Sequence, residues 1–151
     1  MKIDKAFEII ENNIEEAFFT GKINRETINT ASSLLGVTFP DSYSRFLEKY
    51  GCGDIYGVEI YGIVSDDNVE GRGIPSVVWL TKELRKDGVE YKFIPVSDTG
   101  DGGYYVLDTS KISDGECPVV IVEPGSTGWY EDAYENFGAF LLDSLEQSDL
   151  S

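Results

Sequence analysis

Apolar residues near the start of the chain fall at Ile3, Phe7, Ile10, Ile14 and Phe18. Spacings of three and four put them on one helical face, which predicts a helix closed by Gly21. Asn24 can cap a second helix that buries Ile28, Ala31 and Leu35 and stops at Gly36. Val37 to Pro40 reads as an extended connector, because a proline disfavours helical geometry in the residue before it. A third helix opens at Asp41, whose carboxylate suits the unpaired N–H groups of a first turn. Its core face is Tyr43, Phe46, Leu47 and Tyr50.

After Gly51 the period shortens. Residues 55–64 are rich in β-branched and aromatic side chains punctuated by glycine, and they read as a strand pair or one bent strand. Pro75 suits the first turn of a helix reaching about Lys86, with Val78, Leu80 and Leu84 for burial. Three strands follow, over residues 93–96, 103–107 and 118–122. The last is almost continuously apolar, which places it centrally with both faces covered. A closing helix is expected from about Tyr134 to Gln147, burying Phe137, Phe140, Leu141 and Leu145. Helices, then strands broken by one helix, then a final helix argue an α+β fold. The expectation is a single domain over residues 1–151, with one mainly antiparallel sheet, N-terminal helices and a C-terminal helix packed on it.

Charge changes this picture more than composition does. The chain has 151 residues, with 12 basic and 28 acidic side chains, a net charge of −16 and no histidine. Such a surface argues against direct binding to nucleic acid or to anionic membranes. The missing histidine removes His-based triads, His general bases and His-ligated metals. The imbalance is uneven, at −5 over residues 1–92 and −11 over residues 93–151, where Lys111 is the one base. Repulsion of this kind gains folding nothing, and solubility accounts for only a moderate excess of acid. A surface of one sign suits a basic partner. Acids interrupt the apolar positions of the N-terminal segment, unlike a signal peptide, so a cytoplasmic location is expected. In that compartment Cys52 and Cys117 read as two free thiols.

The segment Leu34-Leu35-Gly36-Val37-Thr38-Phe39-Pro40-Asp41-Ser42-Tyr43, with Phe46-Leu47 and Tyr50-Gly51 behind it, resembles the signature of the SUKH superfamily. The loop and strand Gly100-Asp101-Gly102-Gly103-Tyr104-Tyr105-Val106-Leu107-Asp108 and the opening Cys117-Pro118-Val119 also fit. Together these features span about residues 30–140, and the chain is similar to the YobK-type immunity proteins of that superfamily. Phe39 stands where the family prefers leucine, and Tyr50 where asparagine is usual. The resemblance implies an α+β fold, no enzymatic activity, no cofactor, and a role in binding and neutralising a cognate toxin, often a nuclease. It also admits a regulatory or scaffold module with a non-toxin partner, as in the yeast members.

A nuclease cleft is basic, so an inhibitor that presents carboxylates in place of phosphates competes directly and gains association rate. Three segments are candidates for the toxin-binding face. The first is the loop with Asp98 and Asp101, followed by Tyr104. Consecutive tyrosines on a strand face opposite sides, so one of Tyr104 and Tyr105 belongs to the core and the other is free to anchor an interface. A plain hairpin turn, its aspartates capping their own backbone, explains the same loop. The second segment is Asp66, Asp67 and Glu70, and the third is Trp129, Glu131 and Asp132 with Tyr130. Helix N-terminal stabilisation explains Glu131 and Asp132 equally well. Metal and catalytic sites find no support: the 98–108 aspartates lack EF-hand spacing, and no Gly-Lys-Ser/Thr follows the glycines.

Overall fold

The computed structural model describes residues 1–126 and 128–148. Its helices are α1 (Lys2–Asn12), α2 (Arg25–Leu35), α3 (Asp41–Tyr50), α4 (Val77–Lys86) and α5 (Phe137–Glu146). The strands β1 (Ala17–Phe19), β2 (Gly53–Ile55) and β3 (Val58–Ile60) form one antiparallel sheet. The strands β4 (Phe93–Asp98), β5 (Tyr104–Asp108), β6 (Val119–Val122) and β7 (Glu131–Tyr134) form a second, also antiparallel. The α+β class is as expected. The strands divide into two sheets instead of one.

An aromatic chain ties the layers together. Phe39, Tyr43, Phe137 and Phe140 follow one another with centroid distances of 5.4, 5.1 and 6.1 Å, and Phe140 reaches Tyr105 of the second sheet at 4.9 Å. A branch runs from Phe137 through Phe46 to Phe19 of the first sheet, at 5.8 Å for each step. One apolar core thereby joins all five helices to both sheets. A smaller cluster of Phe93, Val106, Val120 and Val122 covers the other face of the second sheet. As the apolar run implied, β6 lies inside that sheet with both faces covered.

Three element boundaries need correction. The first helix ends at Asn12, and a 3₁₀ turn (Ile14–Glu16) leads into β1. The helical register that would bury Ile14 and Phe18 therefore breaks, and both side chains are exposed. Residues 131–134 form an edge strand, so the last helix begins at Phe137, capped by the Asn136 side chain accepting from Ala139 N–H at 2.8 Å. Glu131 and Asp132 consequently receive nothing from a helix dipole. Pro75 precedes α4 instead of opening it, and Ser76 is the cap, its Oγ accepting from Trp79 N–H at 3.3 Å.

The caps of α2 and α3 come from remote carboxylates. Asn24 occupies the cap position of α2 but makes no side-chain cap bond. Asp66 does that work, accepting from Asn24 N–H at 2.9 Å. At α3, Glu116 accepts from Ser42 N–H at 3.0 Å and from Ser42 Oγ at 2.6 Å. Asp41 is the first helical residue and not the cap.

Backbone crowding is greatest at Gly62. A Cβ there would lie 1.9 Å from the Gly51 carbonyl oxygen at the end of α3. The Gly62→Ala change forces that junction apart. It is expected to lower stability by about 3 kcal/mol, read from the urea midpoint. A loss below about 0.5 kcal/mol would show that the junction relaxes freely.

Candidate functional site

The two sheets meet at Tyr61. Its N–H donates to the Val96 carbonyl of β4 at 2.8 Å, and its carbonyl accepts from Tyr43 Oη at 2.7 Å. Tyr61 is only 1% exposed, yet its hydroxyl reaches outward and donates to Asp98 Oδ2 at 3.3 Å. Ser97 Oγ donates to the Glu59 carbonyl at 2.6 Å, so β3 and the end of β4 are held side by side.

This seam aligns carboxylates. Asp54 of β2 sits directly opposite Glu59 of β3, and Asp98 lies beyond Glu59. Like charges opposed across a ladder repel. Partial burial, first, and the Asp98 and Asp54 carboxylates, second, push the Glu59 carboxyl above the usual carboxylate range. Burial together with Asp98 and Glu59 raises the Tyr61 phenol well above its ordinary value, which keeps it a donor. Among the described residues, Asp54, Glu59, Asp98 and Asp101 make no ion pair. Nor, among them, do three His, Cys, Asp or Glu side chains come close enough to hold a metal ion. The acids form a row instead of a cluster, an arrangement suited to several cations spread over a surface.

The 98–104 loop is a β4–β5 hairpin. Thr99 N–H donates to the Gly103 carbonyl at 3.0 Å, and the Thr99 hydroxyl donates to Asp101. Tyr104 and Tyr105 face opposite sides. Tyr105 packs on Phe140 and Tyr104 lies 6.4 Å from Tyr61, and both are partly buried against the core.

The other predicted segments lie elsewhere. Asp66 caps α2, and bonds from the Thr27 side chain and Asn24 N–H hold its carboxyl below the usual range. Glu70 pairs with Lys82 at 3.0 Å, while Asp67 is exposed. Trp129 is exposed, Tyr130 packs 5.9 Å from Phe93, and Glu131 and Asp132 are exposed on β7. Sequence reasoning missed Asp54 and Glu59. Their signal was two acids five apart in an otherwise apolar strand–turn–strand segment. It also assigned Phe18, which is exposed and stands opposite Asp54, to a buried face.

Both cysteines are free and buried. Burial, then Asp108 and Glu116, push the Cys117 thiol up to about 12, and burial raises Cys52 as well. Both shifts favour the protonated thiol near neutral pH. Among the described residues no helix is long and apolar enough to cross a membrane.

A family model described as SMI1-KNR4 cell-wall, of the SUKH group, matches residues 3–146. Among solved structures, a crystal structure of a protein from Pseudomonas syringae pv. tomato superposes with a TM-score of 0.67. Its identity is 15%, and the match covers 93% of this chain and 98% of that one. At that identity the likeness speaks for the fold.

The Asp54–Glu59 opposition makes a pH-dependent prediction. Because the folded-state pKa of Glu59 is raised, the folded protein binds protons more readily than the unfolded chain. Its unfavourable contribution is full above the raised value and fades as pH falls through it towards the unfolded value near ~4.3. Glu59→Gln should therefore stabilise by about 0.5 kcal/mol at pH 7. The gain should shrink on acidification, as urea melts across pH 7 to 4.5 would report. A variant less stable than wild type at pH 7 would contradict this.

Proposed function

This chain belongs to the SMI1-KNR4 family of the SUKH superfamily, and on that premise we propose that it is an immunity protein. It binds a cognate toxin, a basic nuclease domain, and blocks it by protein–protein contact in the cytoplasm. It performs no catalysis and takes no cofactor, and it contacts neither nucleic acid nor membrane.

The observation that carries this reading is the row Asp54, Glu59 and Asp98, which makes no ion pair among the described residues. Several acids elsewhere are employed locally. Asp4 pairs with Arg45 at 2.7 Å, Glu135 with Lys2 at 3.1 Å, and Glu116 caps a helix. The row instead keeps its mutual repulsion in the free protein. A partner that delivers cations relieves it, so part of the binding free energy is release of strain already present. Exposed Asp101 and partly buried Tyr104 extend the same surface along the hairpin. Net charge of −16 adds long-range attraction for a basic domain and raises its association rate. Asp67, Glu131 and Asp132, exposed elsewhere, add to the negative field, and Trp129 is an exposed aromatic near the last two in sequence. Asp66 and Glu70, already engaged in a cap and an ion pair, contribute only to its field.

Coexpression with the toxin domain encoded by the neighbouring gene tests this directly. Cells carrying both should grow, and the two proteins should co-purify. Death at the rate of an empty-vector control would end the proposal. Replacing Glu59 with Gln and Asp98 with Asn together should weaken the complex about tenfold at low salt and flatten its salt dependence. Unchanged affinity would remove the row from the interface.

A further inference from the structure

We propose that the outer face of the three-stranded sheet docks its partner through an apolar anchor: Phe18 and Tyr56 receive an apolar side chain flanked by lysine or arginine. This rests on the immunity reading and specifies the contact.

The sheet register sets the geometry. Phe18 pairs with Asp54 and Asp54 pairs with Glu59, so the three side chains share one face in a single row. Their neighbours Phe19, Ile55 and Ile60 point the other way, into the core. Phe18 begins the row on the outer strand β1 and is 77% exposed, which wastes a large apolar surface unless something covers it. Phe19, its neighbour in sequence, already supplies the core contact at 4.9 Å from the Tyr50 ring. Folding therefore gives Phe18 no role.

Tyr56 adds an independent observation. Tyr56 and Gly57 form the two-residue turn joining β2 to β3, both with positive φ, at 49° and 81°. Such turns favour Asn-Gly, and a bulky aromatic in the left-handed region is strained. Tyr56 is 39% exposed, and its hydroxyl makes only a long 3.5 Å contact with Asn13. The adjoining 3₁₀ turn contributes Ile14, 44% exposed. An exposed phenylalanine in line with two carboxylates that make no ion pair among the described residues, and a strained, exposed aromatic on the turn that joins the same strands, have the composition of an interface anchor with a charged rim. The carboxylates decide the occupant's chemistry. An apolar ligand alone would leave Asp54 and Glu59 desolvated and repelling, whereas flanking cations neutralise them.

The test measures binding to the catalytically inactivated toxin domain, together with thermal melting and oligomeric state. Phe18→Ala should weaken the complex at least about tenfold. Tyr56→Asn installs the favoured Asn-Gly turn, so it should weaken binding at least about threefold while Tm holds or rises by about 2 °C. That combination, firmer fold with poorer binding, is what an anchor predicts and a structural residue does not. If wild type binds and both variants bind equally well, this docking face is wrong and the immunity reading stands. If wild type does not bind, the immunity reading fails and takes this inference with it. If Phe18→Ala leaves toxin affinity unchanged and instead turns a wild-type dimer into a monomer, the occupant is a second copy and the proposal is overturned. A Tm drop for Tyr56→Asn, with a matching loss of binding, would assign the residue to the fold.

Discussion

Tyr61 is the constraint on which the arrangement depends. One residue makes three bonds to two elements: its amide and hydroxyl reach Val96 and Asp98 of β4, and its carbonyl reaches Tyr43 of α3. The first sheet, whose strands are three residues each and have little stability alone, is tied to the second sheet there. The same stitch holds β3 against the end of β4 and so brings Glu59 towards Asp98. Fold and candidate site share a single set of bonds.

The acids of this chain divide by what they touch. Some are structural and act at a distance along the sequence, as Asp66 and Glu116 do in capping α2 and α3. Others meet lysine or arginine at the surface, where each pair adds little stability. A third group, on the three-stranded sheet and the hairpin, meets neither helix end nor cation among the described residues. Net charge alone does not distinguish these groups.

Exposed apolar residues divide in the same way. Tyr91 has the Arg85 guanidinium 4.0 Å from its ring centroid, and Tyr130 packs near Phe93 and Lys92. Each has an intramolecular use. Among the described residues Phe18 makes no aromatic or cation–π contact, and it shares its row with Asp54 and Glu59. Two kinds of unsatisfied side chain on one strip of sheet give the surface its direction.

Much of this was legible in the residues. The helical stripes of α2, α3 and α5, the central place of β6, the opposite facing of Tyr104 and Tyr105, and the family motif through Pro40 all follow from local period and composition. The short strands β1 and β7 were not legible. Three or four residues carry too little periodicity to outweigh a neighbouring helical pattern, and pairing with a distant strand decides them. The partners of Asp66, Glu116 and Tyr61 were hidden for the same reason, since each lies tens of residues away. Sequence alone therefore determined which segments bury their apolar faces and how much negative charge the chain carries. Only the tertiary structure decided which carboxylates remain unpaired and that Phe18 stands beside them, because both depend on register between strands remote in sequence.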